Sequence, residues 1–330
     1  MGPIYFLAFI VLAVALCLAG IVFKLQKGNR AVANEIRQAC FEKMPDIEEV
    51  ESLSILPLVD YKTADTRLKT EAGVSYLIRT DDTAMLLDVG LNQKGEHPSP
   101  LLCNMRILGV SPEDLDAIFI SHLHLDHLGG MAEQKRGEFS LSKGMVNLPE
   151  IPVYAPEPLA PSRWNHGPAV SVVTGPRKLA KGIASMGPIP RNLFLMGYTL
   201  EQTLAINVKG KGIVIVVGCG HPTIERILDR AAMLFDRPVY AIIGGLHFPV
   251  HGGRLMLGPI NLQAVVGTDR PPWEPICEQD VDDAIKYIKK ADPKVVALSP
   301  HDSSDWSIER FRAAFGDRYT DLLVGKEILI

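Results

Sequence analysis

The chain has 330 residues, of which 47% are apolar and 22% are charged, and its formal net charge is −4. This length and apolar content allow one large hydrophobic core or two modest ones. The weakly negative charge argues against a nucleic-acid-binding protein, which needs a strongly basic patch, so no nucleic-acid partner is expected. Five cysteines without a C-x-x-C pair do not form a disulfide framework and favour a reducing compartment.

The N-terminal segment from Ile4 to Phe23 is uncharged and almost wholly apolar, and it matches the ~20 residues needed to cross a bilayer core. Lys and Arg residues follow this run, whereas none precedes it, so the positive-inside rule predicts a single-pass membrane protein with a cytoplasmic catalytic domain. The alternative is a signal peptide cleaved near Ala19-Gly20, which would give an exported enzyme. We therefore expect a transmembrane anchor over residues 1–25, a juxtamembrane helix or linker over 26–54, and the catalytic domain over 55–330.

Beyond the predicted linker, the pattern changes to strands. Apolar runs at 74–78 and 84–90, joined by a turn at Asp81-Asp82, predict a hairpin. Asp88, near the end of the second run, is interpreted either as a carboxylate that orients a metal-binding histidine or as a simple turn residue. Ser111, followed by proline and two acids, is typical of a helix start.

Four metal-binding side chains then lie within six positions, directly after an apolar run at 117–120 that predicts a buried strand: His122, His124, Asp126 and His127. Side chains two apart on an extended segment point the same way, so His122 and His124 can converge on one ion. Asp126 and His127 lie where the chain leaves the strand and can reach a second ion. Imidazole and carboxylate ligands suit zinc, with iron and manganese as alternatives. The alternative to a metal site is a surface loop whose histidines are simply solvated.

Three further histidines each follow a predicted strand in the C-terminal half. The strands at 213–217, 238–243 and 294–298 precede His221, His247 and His301, and helical patterns at 223–235 and 280–290 separate them. Alternation of strand and helix implies parallel pairing, and ligands collect at the carboxyl ends of parallel strands. We therefore interpret His221 and His301 as metal ligands, and His247 as a metal or substrate contact.

These motifs resemble the metallo-β-lactamase superfamily, whose hallmark is a His-x-His-x-Asp-His loop after a strand. Over residues 55–330 the chain is also similar to one branch, that of the dihydropterin-ribofuranosylaminobenzene-phosphate synthase of methanopterin biosynthesis. The motifs that carry the branch similarity are Asp88-Val89-Gly90, Gly187-Pro188-Ile189-Pro190-Arg191, Glu201-Gln202-Thr203-Leu204-Ala205, Gly218-Cys219-Gly220-His221, Gly244-Gly245-Leu246-His247 and Pro300-His301. The resemblance implies an α/β fold of the αββα sandwich type, preceded here by the transmembrane helix, with two divalent metal ions in a groove at one edge.

The resemblance also implies which residues hold each ion. The first ion would be held by His122, His124 and His221, and the second by Asp126, His127 and His301. Asp126 would in addition orient the attacking hydroxide, which makes it the expected catalytic residue.

The sequence departs from the superfamily pattern at three places. The usual bridging aspartate falls at Cys219, so either Cys219 supplies a thiolate, or His247 substitutes, or only one ion binds tightly. Glu201 stands near the position of a further expected histidine motif. At the last ligand, a His-Cys-Thr-Gly-like run is replaced by residues 301–304, which read His-Asp-Ser-Ser.

The function that this resemblance implies is a metal-dependent hydrolase acting on an ester, phosphodiester or related small molecule. The metal would lower the pKa of a bound water from 15.7 toward ~7 and so provide hydroxide. Arg191 is the candidate to bind an anionic substrate group, with an ordinary surface arginine as the alternative. Residues 131–190, rich in Pro and Gly, are expected to be a long loop that forms a substrate-side wall or lid.

Three other functions remain open from the sequence. One is a synthase-like enzyme of pterin metabolism that forms C–C or C–N bonds. Another is a di-iron redox enzyme, for which no flavin domain or extra carboxylate ligands are seen in the sequence. The third is a non-catalytic, membrane-tethered metal-binding protein. The partners expected are a small-molecule substrate and, through the N-terminal helix, the lipid bilayer.

Overall fold

Two β-sheets form the centre of the protein in a computed structural model that describes residues 2–44 and 47–330, so that Met1, Pro45 and Asp46 lie outside the described residues. The first sheet contains β1 (Leu53–Val59), β2 (Ser75–Thr80), β3 (Ala84–Leu87), β4 (Ala117–Phe119), β7 (Pro152–Ala155), β10 (Ala169–Val172) and β19 (Ile328–Leu329). Their spatial order is β10-β7-β4-β3-β2-β1-β19. The predicted hairpin is the antiparallel β2–β3 pair, and β4 runs parallel to β3.

The second sheet contains β11 (Arg177–Ala180), β12 (Ile183–Leu193), β13 (Gly197–Val208), β14 (Gly212–Val217), β15 (Val239–Gly244) and β18 (Val295–Leu298), in this spatial order. As predicted from the strand–helix alternation, β14, β15 and β18 are parallel. Three small pairs complete the strands: β5 (Glu138–Phe139) with β8 (Ala160–Pro161), β6 (Val146–Asn147) with β9 (Asn165–His166), and β16 (Met256–Leu257) with β17 (Ile260–Asn261).

Helices cover the outer faces of both sheets. The first sheet is covered by α2 (Pro100–Ile107), and the second by α5 (Ile224–Leu234), α7 (Glu278–Ala291) and α8 (Asp305–Phe315). The remaining helices are α1 (Gly2–Gln38), α3 (Leu125–Leu128), α4 (Met131–Arg136) and α6 (Leu262–Val266), with 3₁₀ turns at Pro112–Asp114 and Gly316–Arg318.

Three apolar clusters separate the layers. The central cluster lies between the sheets and joins Ile55 and Phe119 of the first sheet to Ile206 and Ile243 of the second. One outer cluster packs α2 on the first sheet, and the other packs α5, α7 and α8 on the second. All six residues of β14 are buried, which accounts for its unbroken apolar sequence. The layer order is therefore helix, sheet, sheet, helix, and the αββα fold expected from the sequence is confirmed.

Two local predictions were wrong. Residues 131–190 are not a long loop, because they contribute β7 and β10 to the first sheet and β11 and most of β12 to the second. The described pairing of β12 with β11 ends at Ser185, and Pro188 and Pro190 lie beyond that residue. One edge of β12 is therefore unpaired at these prolines, so their missing N–H groups cost no hydrogen bond to β11. The helix start at Ser111 gives only a 3₁₀ turn, because the chain becomes extended again at Leu115 and enters β4.

The N-terminal helix α1 continues unbroken through the predicted boundary between anchor and linker. Its N-terminal part is long and apolar enough to span a membrane, and Phe9, Leu16 and Phe23 are exposed. Its C-terminal part packs on β12 and β13, where Leu25 and Val32 are buried. The same helix therefore has an apolar surface without a protein partner among the described residues and a second part that belongs to the globular domain.

Candidate metal centre

The predicted ligands meet at one edge of the sandwich, where strands of both sheets end. His122 follows β4 of the first sheet, and His221, His247 and His301 follow β14, β15 and β18 of the second. The carboxyl ends of parallel strands share an edge, so residues far apart in the sequence are placed side by side. All four histidines are buried.

The candidate ligands in the loop after β4 lie partly on extended backbone and partly on a short helix. His122 and His124 lie on the extended part, and their ring centroids are 4.4 Å apart. The short helix α3 begins after His124 and carries Asp126 and His127, and the His127 ring centroid is 4.1 Å from that of His122. Gly129 ends this helix with φ near +89°, and a Cβ there would collide with the carbonyl of Ser140.

The C-terminal residues close this cluster from the opposite sheet. His221 Nε2 lies 3.2 Å from His124 Nδ1. Cys219 Sγ lies 3.0 Å from His127 Nε2 and 3.2 Å from His301 Nε2. Ligand atoms lie within 4.8 Å of one another in three groups, Asp126–His127–Cys219–His301, His122–Cys219–His221 and Cys219–His247–Asp302. Cys219 belongs to all three groups and thus lies at the centre of the cluster.

The chemistry of this donor set fits divalent metal ions. Burial lowers the pKa of His122, His221 and His301 well below the ordinary value, and neighbouring imidazoles act in the same direction on His122. Burial also lowers the pKa of His124 to about 4. These rings are therefore neutral at pH 7, the form that ligates metals. The buried Nε2 atom of His122 has no hydrogen-bond partner among residues 2–44 and 47–330, as expected for an atom whose partner is an ion.

Asp126 and His127 are the charged residues of the group that also contains Cys219 and His301. Burial acts to raise the pKa of Asp126, but the charge and the hydrogen bond of His127 outweigh it, and the net direction is a lowered pKa. Burial acts to lower the pKa of His127, but Cys219, Asp88 and Asp126 together raise it well above its ordinary value. A cation at this position would replace the proton that His127 otherwise holds between these acids.

Asp88 is placed where it orients two of the histidines. Its Oδ2 atom lies 2.6 Å from His127 Nδ1 and accepts a 2.7 Å hydrogen bond from the Ser121 hydroxyl. Its Oδ1 atom accepts from the Ser121 N–H at 2.7 Å, and the same hydroxyl lies 2.9 Å from His122 Nδ1. A carboxylate that holds the far nitrogen of a ligand histidine fixes the ring orientation.

A second carboxylate that sequence reasoning missed is placed behind His301. Asp60, at the end of β1, accepts 2.6 Å hydrogen bonds from the hydroxyls of Ser299 and Tyr76. Ser299 Oγ in turn lies 2.6 Å from His301 Nδ1. Burial raises the pKa of Asp60 to about 7, although the Ser299 and Tyr76 hydrogen bonds act to lower it. The only available signal was an aspartate directly after a buried strand, the same signal that singled out Asp88.

Glu201 and Asp302 hold the backbone of the ligand loops. Glu201, inside β13, accepts hydrogen bonds from the N–H groups of Cys219, Gly220 and His221 at 2.7–3.0 Å. Burial raises the pKa of Glu201 to about 7, and these N–H groups oppose that effect. Asp302 Oδ2 accepts from the His247 N–H at 2.9 Å. A buried acid within an apolar strand could have identified Glu201, whereas Asp302 had no signal of its own beyond its neighbour His301.

His247 and Arg191 lie to one side of the cluster, along a cavity of about 270 Å³ that also contacts His221 and Thr268. The His247 ring centroid is 4.7 Å from that of His221. Arg191 forms a 2.6 Å ion pair with Asp269, and its side chain is only 13% exposed. The structure therefore brings His122, His124, Asp126, His127, Cys219, His221 and His301 into one cluster. His247 joins its edge beside Cys219 and Asp302, and Arg191 lies on the wall of the cavity that His221 and His247 also line.

Comparison with known proteins agrees with this architecture. Residues 68–136, which include the loop from His122 to His127, match the family model of the metallo-β-lactamase superfamily. The solved structure of Tm1679, a metal-dependent hydrolase of the β-lactamase superfamily, superposes with a TM-score of 0.55 at 18% identity, over 84% of this chain and 99% of that one. The metallo-β-lactamase-fold protein YhfI from Bacillus subtilis gives a TM-score of 0.51 at 14% identity, over 85% of this chain and all of that one. The chain therefore has the metallo-β-lactamase fold, and its residues 68–136 match the model of that superfamily.

A relative with an assigned activity is similar over most of its own length. This metallo-β-lactamase-fold chain is 26% identical, over 244 residues, to 7,8-dihydropterin-6-methyl-4-(β-D-ribofuranosyl)-aminobenzene-5′-phosphate synthase of Methanocaldococcus jannaschii. The similar region is 61% of this chain and 80% of that protein. The similarity to this branch that the sequence motifs indicated is confirmed, and the fold implies that divalent metals bind at the cluster.

The central position of Cys219 leads to a prediction about metal content. Replacing Cys219 with alanine removes the one side chain common to the three groups, so we expect metal affinity to fall by at least about tenfold. Cys219→Asp restores a short anionic ligand and should retain metal better than Cys219→Ala. Metal content is measured by mass spectrometry after dialysis, with folding checked by circular dichroism. Cys103→Ala, a change outside the cluster, serves as the matched control, and equal metal content in all four proteins would contradict the central role of Cys219.

Proposed function

We propose that the protein is a metal-dependent hydrolase, with a dinuclear and zinc-type centre, that acts on an ester, phosphodiester or related small molecule. The observation that carries the proposal is the convergence of buried, neutral imidazoles from both sheets with Asp126 and Cys219. Such a donor set suits zinc, with iron and manganese as alternatives. His122, His124 and His221 would hold one ion, Asp126, His127 and His301 the other, and Cys219 lies between the two sets.

Bound divalent ions would supply positive charge that lowers the pKa of a coordinated water and stabilises a developing oxyanion. The protein's own residues orient that chemistry. Asp126 carries a lowered pKa and is a carboxylate at neutral pH, so it can accept a hydrogen bond from an attacking water and align it. Asp88, through Ser121 and His127, and Asp60, through Ser299, hold the imidazole rings in one orientation.

The metal-dependent hydrolase proposal predicts the result of an activity screen. We expect the full-length protein to hydrolyse at least one member of a panel of phosphodiesters, lactones, thioesters and lactams. Chelation should abolish that activity, and added zinc, manganese or iron should restore it. His124→Ala should lower kcat/KM by at least about 100-fold and reduce bound metal, because it removes a ligand.

The control for this screen is His166→Ala, which alters an exposed histidine outside the cluster. Full activity in His124→Ala, or activity that survives chelation, would contradict the proposal. Metal binding without hydrolysis of the whole panel, and without the coupling activity considered below, would favour a non-catalytic, membrane-tethered metal-binding protein.

The cavity beside His221 supports an anionic substrate. Arg191 uses a terminal nitrogen in its ion pair with Asp269, and its buried Nε has no hydrogen-bond partner in the described part of the chain. Donors that remain free on a guanidinium match carboxylate or phosphate oxygens. Thr268 and Arg270 line the same cavity, but Arg270 is paired with Asp280, and Glu225 and Asp283 also line it, so Arg191 is the residue on which the proposed anion preference depends.

Removing Arg191 should therefore weaken anionic substrates selectively. We expect Arg191→Met to raise KM for an anionic substrate by roughly 10–100-fold, the loss of a charged hydrogen bond, while KM for its neutral analogue is unchanged. Asp269→Asn keeps the guanidinium and should retain the preference for the anion. An equal loss for both substrates in Arg191→Met would show that Arg191 supports the fold of the cavity wall and does not bind the substrate.

A synthase-like reaction is the second candidate, because the Methanocaldococcus jannaschii relative is named as a synthase and is similar over 80% of its length. In that case the same cluster would promote formation of a C–C or C–N bond in pterin metabolism. Incubation with dihydropterin and ribofuranosyl-aminobenzene phosphates, analysed by mass spectrometry, would detect the coupled product. Coupling without hydrolysis of the ester panel would favour the synthase.

We also propose that α1 anchors the protein in a membrane, with the catalytic domain on the cytoplasmic side. The apolar part of α1 is exposed, and Lys24, Lys27 and Arg30 follow it. The full-length protein should float with lipid vesicles after an alkaline wash, because a spanning helix is not removed by high pH. A chain lacking residues 2–23 should remain in the soluble fraction. Recovery of a mature chain that begins near residue 21 from cells would instead support a cleaved, exported form.

A further inference from the structure

The turn between β12 and β13 presents apolar side chains at a position where polar residues are usual. We call residues 194–197, which read Phe-Leu-Met-Gly, the hairpin tip. Leu195 is 68% exposed and Met196 is 38% exposed. Leu195 also has a φ of +63°, in the left-handed region that favours glycine or asparagine. The chain thus keeps a large apolar side chain where both exposure and backbone conformation argue against one.

The hairpin tip lies beside α1 at the level where the apolar surface of the helix ends. Ile21, Lys24 and Leu25 line one cleft together with Leu195 and Gly197. The Asn192 amide donates hydrogen bonds to the Leu25 carbonyl at 3.1 Å and to Asn29 Oδ1 at 2.8 Å. A Cβ on Gly28 would collide with the Asn192 side chain, so helix and hairpin approach closely here. The apolar tip is therefore continuous with the exposed apolar surface of the helix.

We propose that the hairpin tip inserts into the interfacial region of the bilayer beside α1, as a second membrane contact. The proposal rests on the proposed anchoring of α1. A helix rises ~1.5 Å per residue, so the side chains from Ile21 to Lys24 span only ~5 Å along the membrane normal, and the tip packs against this turn. Exposed Lys24 lies at this turn and exposed Lys27 lies about one turn beyond it, where lysine side chains near a helix end reach the lipid headgroups. The bilayer is the occupant indicated, because the apolar surface of the tip adjoins the apolar surface of the span at Ile21.

Two contacts would hold the domain in one orientation with its cavity close to the membrane. The Phe194 N–H donates a 2.7 Å hydrogen bond to the carbonyl of Thr268, a residue of the cavity wall. Asn29 of α1 donates a 2.8 Å hydrogen bond to the carbonyl of Asp269, the partner of Arg191. The cavity wall is thus bonded directly to both membrane-contacting elements, and a substrate that resides in or on the bilayer would reach it over a short distance.

The test uses the full-length protein in phosphatidylcholine–phosphatidylglycerol vesicles that contain lipids with a doxyl quencher near the headgroup. We expect the additional fluorescence of Leu195→Trp, relative to the unsubstituted protein, to be quenched at least twofold by the doxyl lipid and to resist aqueous acrylamide. Met196→Trp should give the same result and covers failure of the first variant to fold. The matched control is Met233→Trp on α5, because Met233 is 49% exposed. Its neighbour Leu234 accepts a hydrogen bond from the Met44 N–H, and Met44 follows the C-terminal end of α1, the end opposite the apolar part. A tryptophan at position 233 should therefore stay in water.

Each outcome decides the proposal. If the protein floats with vesicles but both tip variants respond like Met233→Trp, the tip is in water, and the second contact is overturned while the anchor stands. If the full-length protein does not float, the anchor fails and the second contact fails with it. If the tip tryptophans resist both quenchers in a dimeric particle, a second copy of the chain covers the tip, which also overturns the proposal.

Discussion

The whole arrangement depends on one topological constraint, namely that strands of both sheets end at the same edge of the sandwich. β4 brings in the loop from His122 to His127, and the parallel strands β14, β15 and β18 bring in Cys219 with His221, His247 and His301. Neither sheet alone holds all of the candidate ligands. The central apolar cluster between the sheets therefore does more than stabilise the fold, because its packing sets the distance between the two halves of the centre.

The polar groups buried at this edge need hydrogen-bond partners, and the surrounding acids take part in those hydrogen bonds. Neutral imidazoles can be buried cheaply, but their unpaired nitrogens and the nearby carboxylates need partners. Asp88 and Asp60 are fully buried and each is hydrogen-bonded through a serine toward a histidine, while Glu201 is satisfied by three backbone N–H groups. These acids hold rings and loops in place with short, directional contacts, which leaves the Nε2 atom of His122 and the Asp126 carboxylate directed to the ligand cluster.

Local sequence patterns were sufficient to predict candidate ligands whose own strand or loop carries the signal. The His122–His127 loop and the strand-end histidines follow from spacing and from apolar runs, and the αββα fold follows from the motif resemblance. The shell of supporting residues could not be predicted this way. Asp60 reaches the His301 ring through Ser299, which requires the end of β1 in one sheet to lie beside the end of β18 in the other. The strand content of residues 131–190 was missed because Pro and Gly suggest loops, although the edge position of Pro188 and Pro190 tolerates them.

The N-terminal helix α1 packs directly on the domain that holds the candidate metal centre. A membrane anchor usually joins its domain through a linker, which leaves the domain free to rotate. Here α1 continues into the globular fold, buries Leu25 and Val32 against the second sheet, and hydrogen-bonds through Asn29 to the segment that carries Asp269. The helix is therefore bonded directly to the wall that holds Arg191. If α1 anchors the protein as proposed, the same contacts would set both its position relative to the membrane and the shape of the cavity, so a change in one should alter the other.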